Sequence, residues 1–222
     1  LLVRGVLAFE AAQIALGHAT VLDTVVCDPG IVRLFVLQFE RMPQALVCAA
    51  LRTLAVVALH SMEGHVAAIT SIHGREPPSE SNKRASLSGS PRWEALVDAL
   101  ARPKGRTVLK RDIMVLFNIL TGAGPTIDQR TQLRNVLKTV GFQKAFAKMQ
   151  RWAASGEGSA GGIADKIQGE DDEATATTHK LHQEQLRVQI ALYLRSLEED
   201  VQTLGRMCRH AGLKVLWNKG TK

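Results

Sequence analysis

Aromatic residues are scarce in this chain: one Tyr, three Trp and six Phe among 222 residues. β-Sandwich cores lean on aromatic and β-branched side chains at alternating positions. Here 45% of residues are apolar but only 5% aromatic, so Leu, Val and Ala must build the core, and they suit helices. Strict alternation is nearly absent, and almost no sheet is expected. Cysteine is scarce too. Cys27, Cys48 and Cys208 are odd in number and far apart, which excludes a disulfide framework. They read as buried, reduced thiols of an intracellular, cytoplasmic protein. No run reaches the roughly 18 apolar residues that cross a bilayer, so no membrane span is expected. The opening LLVRGVLAF is too short for a signal peptide and lacks a cleavage-type site. Lys and Arg outnumber Asp and Glu by 28 to 21, yet no five basic residues stand together. Nucleic acid would select a concentrated basic patch with aromatics for stacking, so no nucleic-acid partner is expected. The charge fits a solvated surface or an acidic partner. The chain begins without Met and has no proline-rich tract, so it is expected to be a piece of a longer protein.

Catalytic constellations are missing as well. GAG at Gly122–Gly124 lacks the following Gly-Lys-Ser/Thr and the preceding strand of a phosphate loop. No nucleophile-elbow pattern organises the Ser, His and Asp residues. His179 and His182 could share a helix face, but nothing completes the three or four ligands zinc needs, so they read as exposed histidines beside a linker. Glu198, Glu199 and Asp200 read as a solvated helix face. A non-enzyme without metal or cofactor is expected.

What is present is helical punctuation. In Lys110–Trp152, apolar Ile113, Leu116, Phe117 and Leu120 recur at three- and four-residue spacing, on one helix face. TGAGPTID then breaks the helix. A second helix is expected from Asp128, read as its N-cap, carrying Leu133, Val136, Leu137 and Val140 and closed by Gly141. Phe142 to Met149 makes a third. Helix, turn, helix, Gly, helix is the grammar of an α-solenoid repeat, whose units cannot bury their apolar faces alone. Upstream, an Ala-rich helical segment fills residues 1–26, Asp28-Pro29-Gly30 is a turn that restarts a helix, and Ile31–Phe39 reads as a helix buried on more than one side. Pro43 opens the next helix, which runs to Ser61 with small residues for close packing. Residues 74–91 are loop; KRASLS there matches a basic-directed kinase pattern around Ser86, a match short enough to arise by chance. Three regions are expected: repeats over 1–153, a flexible insertion over 154–178, and a C-terminal helical repeat and tail over 179–222. Leu186, Ile190, Leu194, Leu197 and Val201 form its apolar stripe, and the tail begins at Gly205.

FNILTGAGPTIDQRTQLRNVLKTVGF resembles the armadillo-like region of diaphanous-related formins, the formin homology 3 or diaphanous inhibitory domain. Asn118, Asp128, Arg130, Leu133, Arg134, Leu137 and Gly141 follow that family's order and spacing, with Phe142 where Leu is usual. LHSMEGHVAAI from Leu59 is similar to the family's Ser-x-Glu-Gly-His turn, RWEALVDAL from Arg92 to its Arg-Phe-x-x-Leu-Val helix, and LRVQIALYLRSLEED from Leu186, more loosely, to the helix that follows. Together these cover most of residues 30–200. The resemblance implies an all-α, armadillo-like helical repeat solenoid with an autoinhibitory role. Its concave face would hold an amphipathic helix, the C-terminal autoregulatory segment of the same protein, and a Rho-family small GTPase would compete from the N-terminal end. Actin would be reached only through the rest of the chain, placing the protein at the actin cytoskeleton. Val56, Leu59, Ile119 and Gly122 are then the apolar groove candidates, with Asn118 and Gln189 as polar contacts. Val56 and Ile119, and Ala55 and Asn118, are expected to be neighbours there. Ile119 replaces what is often Ala. Gln13 and Ile14 stand where relatives carry Asn, so no GTPase-contacting residue is assigned. Arg130 and Arg134 read as structural, with Asp128 or carbonyl partners. The alternative is a generic armadillo or HEAT-type scaffold for another helical or extended partner.

Overall fold

A computed structural model describes residues 18–34, 36, 43–74, 91–102, 107–124, 126–155 and 172–210. They are helical and include no strand. In chain order the helices are α1 (Ala19–Cys27), α2 (Pro29–Leu34), α3 (Gln44–His60), α4 (Met62–His73), α5 (Pro91–Ala101), α6 (Thr107–Gly122), α7 (Ile127–Thr139), α8 (Phe142–Ser155) and α9 (Asp172–His210). The segment 1–17, the Ser86 motif, most of Ile31–Phe39 beyond α2, and residues 211–222 lie outside the described residues.

The punctuation works as its chemistry requires. Asp28 accepts the Gly30 amide on Oδ1 at 2.9 Å, and Pro29 takes the first position of α2, where its missing N–H costs nothing. Ser61 caps α4 by accepting the Gly64 amide at 3.1 Å. Gly74 ends that helix with φ +74°, a left-handed conformation that favours glycine. The next cap differs from expectation. Thr126, not Asp128, is the N-cap of α7, its hydroxyl accepting from the Gln129 amide at 3.3 Å. Asp128 lies in the first turn, where its charge complements the helix dipole. Gly141 follows α7 with φ +84°. Two consecutive stretches thus share one plan: hydroxyl cap, helix, left-handed glycine, second helix, third helix. The first is α4–α5–α6 and the second α7–α8–α9.

The third helices make a layer. α6 lies between α3 and α9 and packs more extensively against them than any other pair of helices does. Behind it, α5 packs on α8. Buried Leu, Val and Ala fill the space between, including Ala50, Ala55 and Ala58 of α3, whose small side chains bring the backbones close. Four aromatics among the described residues form one chain of contacts. Trp93 meets Phe117 at 5.8 Å between ring centroids, Phe117 meets Phe142 at 5.4 Å, and Phe142 meets Tyr193 at 5.2 Å. These rings come from α5, α6, α8 and α9, so they tie the second of the two stretches to the first. Trp93 is fully buried, and its indole N–H donates to His73 Nδ1 at 3.3 Å.

Three boundaries differ from the expected ones. α8 runs to Ser155, so residues 154–155 are helical and not part of the insertion. α9 begins at Asp172, so residues 172–178 belong to a helix and not to the insertion. Their sequence, DEATATT, opens with acids and alternates alanine, which favours a helix start despite its loop-like look. Residues 156–171 lie outside the described residues. α9 also runs through Gly205 to His210, so a tail does not begin there. The apolar stripe of α9 is offset as well. Leu186, Ile190 and Tyr193 are buried, whereas Leu194 and Leu197 are exposed. In Ile31–Phe39, Val32 and Val36 are buried and Leu34 is exposed.

Candidate functional site

The surface of the α3–α6–α9 layer is built in levels, because the three helices run in parallel. Arg111 of α6 and His182 of α9 are bonded, and so are Asn118 and Gln189; both pairs are separated by 71 residues in the chain. Arg52 of α3 reaches Asp112 of α6 in the same way. Equal offsets at two levels mean that α6 and α9 stay in register over two turns.

Along this face the apolar candidates divide. Val56 and Leu59 are exposed, Leu59 to 61%. Gly122 is exposed, and a Cβ there would stand 3.6 Å from Ser196 Oγ of α9. Ile119 is only half-exposed and also packs against the core. Ala55, expected beside Asn118 on the groove surface, is buried. The sequence reading missed Leu192 of α9, an exposed apolar residue one turn beyond Gln189.

The amide pair differs from expectation. Asn118 Nδ2 donates to the Gln189 main-chain carbonyl at 2.9 Å and to Gln189 Oε1 at 2.8 Å. Both its hydrogens are engaged within the protein, so Asn118 does not offer them to a ligand. It tolerates its low helix propensity because it joins α6 to α9. Its Oδ1 is buried without a partner. With Gln189 Oε1 held by Asn118, the Gln189 amide nitrogen is left without a partner among the described residues and becomes the polar donor of this face.

One end of the face carries two arginines on one buried carboxylate. Asp112 is buried and accepts from Arg52 Nε at 2.9 Å and Arg111 Nε at 2.8 Å. Arg111 Nη1 then donates to His182 Nδ1 and to Gln185 Oε1, both at 2.8 Å. Since arginine can only donate, His182 Nδ1 is the acceptor. His179 Nε2 pairs with Thr107 Oγ1 at 3.0 Å. The two histidines are therefore half-buried ties between α6 and α9, not exposed side chains beside a linker. Asp112 also acts on Cys48 beneath it. Burial, and then the carboxylate charge, push that thiol up to about 11, so it is inert at neutral pH. Cys27, in contrast, is exposed rather than buried.

A second ionic cluster braces the other end. Asp200 of α9 is buried and accepts from Arg130 Nε at 3.0 Å and Nη2 at 2.8 Å, and from Arg134 Nη1. Arg130 also donates to the Gly124 carbonyl at 2.8 Å, and Arg134 to Ser196 Oγ at 3.0 Å. The arginines are structural, as expected, but their carboxylate is Asp200 and not Asp128. Asp200 in turn does not belong to a solvated face. Lys110 is buried with its ammonium 4.3 Å from the Trp152 ring centroid, and burial lowers its pKa.

His65 sits under the face, beside the Ala58 and Leu120 carbonyls. It is buried, its Nδ1 has no partner, and burial lowers its pKa against the opposing pull of the Ala58 and Leu120 carbonyls. A histidine held neutral favours the fold fully above its unfolded pKa of about 6.5. That contribution is lost as pH falls through the lower folded value, because the unfolded chain takes up the proton first. The urea midpoint is expected to decline from pH 7 to pH 5, with a shallower decline in His65→Gln. Equal slopes in the two proteins would remove His65 as the cause.

Among the described residues, no three His, Cys, Asp or Glu stand together as metal ligands, and no helix is long and apolar enough to cross a membrane. Comparison with protein-family models, with curated proteins and with solved structures finds no match.

Proposed function

We propose that the helices form an armadillo-like repeat array whose α3–α6–α9 face holds an amphipathic helix. The observation that carries this reading is the in-register layer itself. It sets exposed Val56 and Leu59, half-exposed Ile119 and exposed Gly122 beside the Gln189 donor. An apolar face able to take anchors at helical spacing is what helix-in-groove recognition requires. The repeated plan of hydroxyl cap, left-handed glycine and three helices supports the repeat assignment, as does the resemblance of the same segments to the inhibitory domain of diaphanous-related formins. On that resemblance the bound helix is the C-terminal autoregulatory segment of the same protein, and the role is regulation of actin filament assembly. A Rho-family GTPase, bound near the N-terminal end, would weaken the helix's affinity, and the helix would weaken the GTPase's by the same factor. The chain acts by binding, not by catalysis, in the cytoplasm.

The test is calorimetric titration with a peptide of that autoregulatory segment. Leu59→Asp is the cleaner variant, because Ile119→Asp would also place a charge against the core. Leu59 is exposed enough to be changed without cost to the fold. Micromolar binding by the parent chain, lost by about a hundredfold in Leu59→Asp, is expected for a desolvated anchor. Equal affinity in the two folded proteins would remove this face as the site. A folded chain that ignores the peptide would favour the scaffold reading.

A further inference from the structure

The groove is not symmetric end to end, and its asymmetry specifies how a helix must lie in it. At the Arg52 level, the guanidinium is held through Nε alone by Asp112. Its two terminal nitrogens have no partner among the described residues, and the side chain is 49% exposed. Anchoring of this kind leaves a fixed fork aimed outward, the geometry that takes a carboxylate through two parallel hydrogen bonds. Beside it, Arg111 keeps its charge but spends its donors on Asp112, His182 and Gln185. His182, accepting on Nδ1, carries its remaining ring N–H on Nε2. Asp112 is buried and shared by the two arginines. The level therefore carries open donors, whereas at the other end Arg130 and Arg134 direct theirs to Asp200, the Gly124 carbonyl and Ser196 Oγ. Two turns along, Leu59 and Gly122 lie in the last turns of α3 and α6. Helix C-termini carry the negative end of the helix dipole, so that end favours the N-terminus of an incoming helix.

We propose that the face accepts an amphipathic helix in one direction only, antiparallel to α3 and α6, with a carboxylate in the last turn of the bound helix received by Arg52. This rests on the groove reading above and adds its direction and its charge requirement. The occupant is accordingly an acidic-ended amphipathic helix. Leucines fill the space between Val56, Leu59, Ile119 and Leu192, and a Glu or Asp follows them.

Two synthetic peptides decide the matter. Both carry the same leucine stripe at i, i+3, i+4 and i+7 on an Ala/Gln background with blocked ends. One has a pair of Glu residues in its last turn, the other in its first. The second is the better helix in isolation, because acids stabilise a helix N-terminus. Binding in the predicted direction must overcome that bias. Fluorescence anisotropy with the whole chain is expected to show the peptide with C-terminal Glu binding about tenfold more tightly, one charge-assisted bidentate contact's worth. Arg52→Gln should erase the preference while leaving the weaker peptide unaffected; Arg111 still neutralises Asp112 in that variant, and circular dichroism verifies its fold. Equal binding of the two peptides, abolished by Leu59→Asp, would overturn the direction and leave the groove. Failure of both peptides to bind the folded chain would overturn groove and direction together.

Discussion

Gly64→Ala should cost this protein about 3 kcal/mol or more, against the direction that helix propensity alone would give. Alanine is the better helix former by about 1 kcal/mol at an ordinary helical site, so the substitution would stabilise α4 if space allowed. Space does not allow it. A Cβ on Gly64 would lie 2.1 Å from the Val57 carbonyl oxygen, 3.1 Å from the carbonyl carbon and 3.2 Å from Val26 Cγ2. The first two atoms are backbone in the last turn of α3 and cannot rotate away. α4 would have to lift from α3, which also disturbs Val26 of α1 and drags the adjacent His65 from beneath the groove. For a chain of this size such a loss lowers the melting temperature by about 6–12 °C. Thermal unfolding followed by circular dichroism checks it, and a variant melting with the parent would contradict the packing described. The same contact gives the Ser-x-Glu-Gly-His turn its physical meaning: Ser61 caps, Glu63 complements the dipole, Gly64 permits the approach and His65 fills the space beneath.

Asp200→Ala should be comparably damaging. It leaves Arg134, whose side chain is 9% exposed, and Arg130, at 21%, with no carboxylate between them. Breaking a buried ion pair from one side typically costs about 3–5 kcal/mol, because the stranded charge keeps its desolvation penalty. Burial already lowers the Arg134 pKa, with Tyr193 opposing, which marks this guanidinium as poorly solvated. Its Nε is buried and has no partner to take up the load. The partial exposure of Arg130 places the expected loss at the low end, about 3 kcal/mol. Urea unfolding of Asp200→Ala measures this, with Glu199→Ala as the comparison. Glu199 pairs with Arg195 at 3.0 Å one residue away on the exposed side of the same helix. That surface pair should contribute about 0.5 kcal/mol or less. Similar midpoints for the two variants would mean that Asp200 does not brace α9 against α7.

The contrast between these neighbouring acids shows where sequence reasoning stops. Glu198, Glu199 and Asp200 look alike in the text. Only the third faces α7, and its partners are 66 and 70 residues away. Local signals were legible: the Asp28-Pro29-Gly30 restart, the Gly141 stop and the apolar face of α6 all arise from interactions within a few residues. So was helical class, since it follows from composition and period. Groove candidacy was legible in part. Val56, Leu59 and Gly122 reach the surface, while Ile119 is divided between surface and core. Asn118 shows the limit most clearly. Its mid-helix position signalled a polar task, but whether its amide meets a ligand or Gln189 depends on a register between α6 and α9 that no local pattern encodes. Helix starts failed for a related reason. Thr126 and Asp128 are each able to cap, and the backbone decides between them. The acidic, Thr-rich start of α9 reads as loop until the rest of that helix packs on α6.

The central claim is that the α3–α6–α9 face is the binding surface. Hydrogen exchange of the chain with and without the autoregulatory peptide tests it most directly, because it reports location as well as binding. Added protection is predicted in α3 around Val56 and Leu59, in the last two turns of α6 and in α9 around Gln189, with α5 and α8 unchanged. Protection confined to α5 and α8, on the opposite side of the layer, would contradict the account.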